Sequence, residues 1–420
     1  MKKFSWFLPE FPSNETTQRH LPEPSPVLNY ILNARGAHEH VIKPWTEYTA
    51  DDLPVIWISI NNFWCLEIVQ EILDFFSSPE TRQVVLNPQS QIVIEYSKES
   101  VMPFLHLHLL ARTLRVPLKK ILFITGAFNV EELYRDWGTA EHNEREVYQR
   151  DRIRLATTSF WHRDLQKKWD WLACDNPDLD CRYYSLNARL HSHRVFTFMQ
   201  IYEQGILSRG LVGMPWDIEI KRWINDVPLR YNFSEIWQKN LGKYPDYRFL
   251  TRHLEAIREI LPLKVDDYDI ATDSGCINTL SERFQRIPVA LVTESLCETS
   301  RAVFPTEKTW KTMLYGQIFI PVTTRGFLRH LAQAGFRTFE NHFAARFNQS
   351  YDMIENPWER CTRAVGMVKA LCDLPANEFQ DFIDICTPDI QHNYNLLHNN
   401  HLDFYYTSSK KIIEDFDGTT

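Results

Sequence analysis

Residues 288–322 read PVALVTESLCETSRAVFPTEKTWKTMLYGQIFIPV. Two short apolar runs, Val289 to Val292 and Ile318 to Val322, flank a polar stretch and a helix-forming one. Apolar runs of this length are those of strands buried on both faces. Between them Thr306 can cap a helix from Glu307 to Tyr315, and Gly316 suits its C-terminal stop. Strand, helix and strand in this order predict a parallel pair joined by a covering helix.

The same alternation runs through the first third of the chain. Strands are expected at Val55 to Ile60, Gln91 to Tyr96, Lys120 to Thr125 and Arg152 to Thr158. Helices are expected at Phe63 to Phe76, Pro103 to Leu114 and Val130 to Trp137. After a polar linker at 171–180 the pattern restarts with a strand at Arg182 to Leu186 and a helix from Ser192 to Glu203. A short helix is expected at Phe327 to Ala334, and two or three helices between 356 and 402. Helices near 234–241 and 247–260 fit a middle that is otherwise hard to assign. Residues 1–30 hold five prolines and read as an extended arm, with a first helix near Val27 to Ala34. The fold class this predicts is α/β, with two Rossmann-like domains facing a cleft. The first, 1–180, carries the arm; the second, 181–420, ends in the helical tail.

Composition narrows the function. The 420 residues are 44% hydrophobic and 24% charged, ordinary values for a globular chain. No stretch approaches the roughly 20 apolar residues of a membrane span. Together with the absence of a signal-peptide core, this makes a cytoplasmic location the expectation. Only 13 residues are Gly and none falls in a GxG, so neither common Gly-rich phosphate fingerprint is present. A net charge of −8 argues against a long basic face for nucleic acid. The eight Cys form no CxxC pair, which predicts reduced, mostly buried thiols and no zinc site.

Against that acidic background the stretch 181–200 contains no Asp or Glu, while Arg182, Arg189, His191, His193 and Arg194 cluster there. It lies just past a strand and at a helix start, where backbone N–H groups and the helix dipole favour a phosphate. The block Thr306-Glu307-Lys308 is a second charged helix start. Lys308 could meet a diphosphate there and Glu307 could accept from ribose hydroxyls; the alternative is a capping-turn Glu beside a surface Lys. Glu294 directly follows the strand at 289–292, at the strand end where open α/β sheets bind ligands. It is either a ligand to sugar or ribose hydroxyls or a helix-start cap. Glu95 and Glu99 hold the equivalent place after the strand at 91–94 and are the candidate catalytic bases. The acid pairs Asp178/Asp180 and Asp267/Asp269 match a metal-holding DxD pattern, but the first lies in a linker, so no metal site is expected.

Four blocks carry a resemblance: Leu186-Asn187-Ala188-Arg189 to His193-Arg194, Val292-Thr293-Glu294, Thr306 to Lys311 with Gly316 to Ile320, and Gly335 to Phe339 with Ser350-Tyr351-Asp352. In their order and spacing the second half resembles the nucleotide-binding half of GT-B glycosyltransferases. More narrowly it is similar to phage and bacterial glycosyltransferase-like proteins with a fucosyltransferase-like C-terminal segment. The resemblance implies a nucleotide-sugar donor as co-substrate, held by the second half, with the acceptor held by the first and no cofactor or metal required. It implies Arg189, Arg194 and Lys308 as diphosphate contacts and Glu294 and Glu307 as sugar or ribose contacts, with His193 and Thr306 lining the same site. The pair Arg325-Gly326 stands where the family usually has a looser Gly-rich turn. The acceptor is open: a glycan, a protein or a modified DNA base. A phage DNA-base glycosyltransferase and a catalytically silent nucleotide- or sugar-binding protein are the other readings.

Overall fold

The structure is a computed structural model that describes residues 4–7, 40–42, 53–59, 66–96, 103–139, 151–157, 180–187, 192–214, 260, 286–297 and 301–399. The chain divides into two compact units. Unit 1 comprises Met1–Arg163, Ala302–Phe304 and His401–Thr420; unit 2 comprises Asp164–Arg301 and Pro305–Asn400.

Unit 1 is built on a parallel sheet of β1 (Phe4–Phe7), β2 (His40–Ile42), β3 (Leu53–Ser59), β4 (Gln91–Tyr96), β5 (Ile121–Thr125) and β6 (Arg154–Thr157), in the order β2-β1-β3-β4-β5-β6. Its helices are α1 (Leu66–Phe75), α2 (Pro79–Leu86), α3 (Phe104–Leu114) and α4 (Val130–Thr139). Alternate strand residues share a face. Ile56 and Ile58, Ile92, Ile94 and Tyr96, and Ile121 and Phe123 accordingly join Phe76, Leu107, Leu110 and Tyr134 in one buried cluster. The other face is also buried, through Val55, Trp57, Val93, Leu122 and Ile124. That is why these strands read as unbroken apolar runs. Helix α3 ends where Arg115 turns left-handed (φ 57°) and its N–H bonds back to the last turn. Residues 302–304 join this unit through Phe128 N–H to Val303 O (2.8 Å) and Val303 N–H to Asn129 Oδ1 (2.9 Å).

Two features depart from the sequence expectation. Residues 4–7, read as part of a surface arm, form a strand paired on both sides, with β2 and β3. Helix α2 was not expected either. Its start is fixed by Ser78, whose hydroxyl accepts from Thr81 N–H, and by Pro79 in the first turn. The helices expected at 27–34, 234–241 and 247–260 lie outside the described residues, apart from the single helical residue 260.

Unit 2 carries a second parallel sheet: β7 (Tyr183–Leu186), β8 (Gly210–Gly213), β9 (Val289–Thr293) and β10 (Ile318–Val322), in the order β10-β9-β7-β8. Its helices are α5 (Ser192–Glu203), α6 (Glu307–Leu314), α7 (Phe327–Gln333), α8 (Glu340–Phe347), α9 (Pro357–Asp373) and α10 (Ala376–Asn399). The unexpected strand β8 has the sequence GLVG. Gly210 lies against the Tyr183 ring so closely that a Cβ there would meet Cε1 at 2.3 Å. Only glycine permits that approach.

Two buried arginines tie this unit together. Arg182 Nη1 donates to the carbonyls of Leu371 (2.7 Å), Cys372 (3.2 Å) and Leu374 (2.6 Å), at the C-terminal end of α9. A cation there satisfies acceptors the helix leaves open and suits its dipole. Its guanidinium also lies 4.6 Å from the centre of the Phe379 ring. Arg360 donates to the carbonyls of Thr323, Ile354, Glu355 and Cys297. Asp352 holds the start of α7, accepting from Leu328 N–H (2.9 Å) and Arg329 N–H (3.1 Å). Among the described residues the cysteines are unbridged thiols, four of the five buried. None of the described helices is long and apolar enough to cross a membrane.

Asp389, on α10, accepts from Arg337 Nη1 (2.8 Å) and His342 Nε2 (2.7 Å). Burial pushes its carboxyl up, but the hydrogen bonds and charges of His342 and Arg337 outweigh that and hold it below the ordinary range. A depressed carboxylate contributes stability that is present at neutral pH and lost as pH falls through the folded value. Asp389→Asn should therefore be less stable than wild type at neutral pH, with the gap closing below about pH 4. Thermal midpoints across pH 3–7 measure this (roughly the range over which an Asp titrates); a gap that widens on acidification contradicts it.

Candidate functional site

In unit 2 the chain leaves β7 toward β8 on one side, then returns to place β9 on the other. The connection direction therefore reverses between β7 and β9. In open parallel sheets ligands bind beyond the carboxyl ends of the strands at such a switch point. The pairing of β7 with β9 covers only Tyr183↔Val289 and Tyr184↔Ala290, whereas β9 and β10 pair over five positions. At the carboxyl ends the two strands are joined by side chains, with Thr293 Oγ1 donating to Asn187 Oδ1 (2.6 Å). Asn187 in turn anchors to β8, its N–H bonding Gly213 O at 3.0 Å. Ser185, on β7, is fully buried, and its hydroxyl has no hydrogen-bond partner among the described residues.

Glu294 takes its position from its own backbone, its N–H bonding Val322 O (3.1 Å) as an extension of the β9–β10 ladder. Its side chain is fully buried. Oε1 accepts from Thr306 N–H (3.1 Å) and Thr309 Oγ1 (2.5 Å), and Oε2 accepts from Thr306 Oγ1. These donors belong to the cap and first turn of α6. A carboxylate at a helix start satisfies open N–H groups and meets the positive end of the dipole. Of the two sequence readings of Glu294, this geometry is that of the helix-start cap. Its carbonyl is equally engaged, accepting from His193 Nε2 (2.8 Å) and Arg194 Nη2 (3.4 Å) at the start of α5.

At the cap, Thr306 Oγ1 accepts from Lys308 N–H (3.4 Å) and from Lys308 Nζ (3.1 Å). The Lys308 ammonium also meets Glu307 Oε1 at 2.8 Å. This pair is the part of the cluster open to water, the two side chains being 28% and 29% exposed. Burial alone would raise the Glu307 carboxyl, but the Lys308 charge and hydrogen bond bring it below its ordinary value. Glu307 is therefore ionised at neutral pH and shares the ammonium. The arrangement offers an incoming ligand a partly exposed ammonium and a carboxylate at the positive end of a helix, which suits an anionic group beside hydroxyls.

Thr306, Glu307, Lys308, Glu294, His193 and Arg194 thus come together at one end of β9. His193 and Arg194, read from the sequence as part of a phosphate-binding patch, are buried and hydrogen-bond a backbone carbonyl. Arg182, counted in that patch, precedes β7 and so lies at the opposite end of the sheet from Glu294. Arg189, Glu99, Asp178, Asp267 and Asp269 lie outside the described residues. Glu95 belongs to unit 1, at the carboxyl end of β4, where it is buried and accepts from Trp57 Nε1 (3.1 Å). Asn187, Thr293 and Thr309 lie inside the quoted sequence blocks but carry no assigned role there; Thr309 shares a helix face with Thr306.

No protein-family model matches the sequence, and no curated protein does. Among solved structures the chain is similar to an α,α-trehalose 6-phosphate synthase from Burkholderia multivorans, with 13% identity, 89% of this chain and 72% of that one covered, and a TM-score of 0.38. It is also similar to the β-glucosyltransferase of phage T4, with 10% identity, 99% of both chains covered and a TM-score of 0.37. A third is a UDP-forming α,α-trehalose-phosphate synthase from Burkholderia xenovorans, with 11% identity, coverage of 86% and 75%, and a TM-score of 0.36. Likeness at this level assigns neither a family nor an activity to the chain.

Proposed function

We propose that the chain is a glycosyltransferase that takes a sugar from a nucleotide-sugar donor, with the donor diphosphate at the start of α6. The observation that carries this is the Thr306-Glu307-Lys308 cap set at the β7/β9 switch point. Glycosyl transfer from such a donor requires stabilisation of a departing diphosphate. Lys308 and the positive end of the α6 dipole supply it, with Arg189 as a further cation in this reading. Glu307 is the acceptor for ribose or sugar hydroxyls. The positive charge comes from side chains and a helix end, so the reading needs no divalent metal. Transfer also needs a base for the acceptor hydroxyl; Glu95 and Glu99 are the candidates the sequence offers.

Calorimetry with UDP and GDP in excess chelator tests it. Binding of at least one, followed by turnover of the matching nucleotide-sugar, is the expected result. Binding that vanishes in chelator and returns with manganese would replace the metal-free site by one at Asp178 and Asp180. No binding of either nucleotide under any condition would sink the reading.

A further inference from the structure

We infer that Glu294 is the positioning residue of this site: without meeting the donor, it fixes the start of α6 that does, and ties it to the start of α5. The inference rests on the donor site proposed above and changes the part Glu294 plays in it.

Glu294 sits between two helices. Its carboxylate holds the first turn of α6 through Thr306 and Thr309, and its carbonyl holds His193 and Arg194 in the first turn of α5. With its N–H on Val322 O, all its polar groups are engaged, and the side chain is fully buried. The direction of these bonds matters beyond their count. Both side-chain oxygens of Glu294 accept, Oε2 from the Thr306 hydroxyl. The lone pairs of that hydroxyl are thereby left for the Lys308 N–H and ammonium. Glu294 thus sets the direction of a chain, Lys308 to Thr306 to Glu294, that parks the ammonium over the start of α6. A neutral amide at 294 could donate to Thr306 Oγ1 and compete with Lys308 for it.

Three consequences separate this role from plain scaffolding. Glu294→Gln, which keeps shape and volume, should weaken inorganic pyrophosphate and nucleoside diphosphate binding roughly tenfold or more, the usual effect of losing a charge-assisted contact. Thr306→Val, which removes the relay hydroxyl, should match it, while Thr306→Ser should restore binding to within about threefold, because the relay needs only the hydroxyl. In a Lys308→Ala background, Glu294→Gln should have almost no further effect on binding, since the two act in series.

The experiment is calorimetry of the full chain with inorganic pyrophosphate, UDP and GDP on these variants, with thermal midpoints measured alongside. Should Glu294→Gln fail to fold, the Thr306→Val and Thr306→Ser pair decides the question. Wild-type binding that Glu294→Gln and Thr306→Val both leave unchanged overturns the inference and leaves the donor site standing. An effect of Glu294→Gln that persists in full in the Lys308→Ala background also overturns it. Absence of wild-type binding to all three probes removes the donor site itself, and the inference with it.

Discussion

Arg182→Ala is expected to destabilise unit 2 by about 3–4 kcal/mol, the sum of a charged hydrogen-bonding group lost and acceptors left open. One Nη1 serves three carbonyls where α9 ends and the chain turns toward α10. Those carbonyls lie at the last turn, where a helix leaves acceptors open; Leu371 O also accepts from Leu374 N–H at 3.4 Å. Removing the guanidinium leaves them buried beside Cys372 and also removes the contact with the Phe379 ring. Arg182→Met, which keeps the apolar stem, should recover the packing part alone. Urea unfolding followed by circular dichroism would show lowered midpoints, Ala below Met. Diphosphate binding by the folded variant should be unchanged, because Arg182 precedes β7 and lies at the sheet edge remote from the strand carboxyl ends. Unchanged stability with lost binding would return Arg182 to the ligand site.

Arg182 also shows where sequence reading stops. An acid-free run of 20 residues rich in Arg and His reads as a phosphate surface when charges are counted. Charge counting cannot tell a guanidinium facing water from one facing helix carbonyls, since main-chain acceptors leave no trace in the sequence. The same blindness applies to His193 and Arg194, both buried on the Glu294 carbonyl. Strands β3, β4, β5, β9 and β10 were legible because burial on both faces makes each a run of apolar residues. Strand β8 was not, because close approach to Tyr183 demands a glycine and glycine lowers strand propensity. Strand β1 stands beside a proline-rich stretch that pulls the reading toward a surface arm. The cap at Thr306 was legible from chemistry alone: a β-hydroxyl residue, then acid and base, then helical spacing. Glu294 was legible as a choice between two roles, and only the positions of Thr306 and Thr309 decide between them.

Lys308→Ala is expected to weaken diphosphate binding by about 1.5–3 kcal/mol, the worth of a hydrogen bond to a charged group. That is roughly a 10- to 150-fold rise in Kd. Folding should be nearly unaffected. The Lys308–Glu307 pair is partly exposed, and such pairs add little to stability because water and salt screen them. The cap itself survives, since Thr306 accepts from the backbone N–H of residue 308 whatever its side chain. The loss should shrink as salt is raised, because the interaction is open to solvent on one side. Glu307 supplies the internal control. Its ionised carboxylate shares the ammonium and repels an approaching anion. Glu307→Gln should therefore tighten inorganic pyrophosphate binding, which needs only the cation. If Glu307 also meets sugar or ribose hydroxyls, the same change should weaken a full nucleotide-sugar. Opposite signs for the two ligands would place the diphosphate at Lys308 and the hydroxyls at Glu307. Tighter binding of both would leave Glu307 as a charge brake alone, and no change in either would remove this helix start from the donor site.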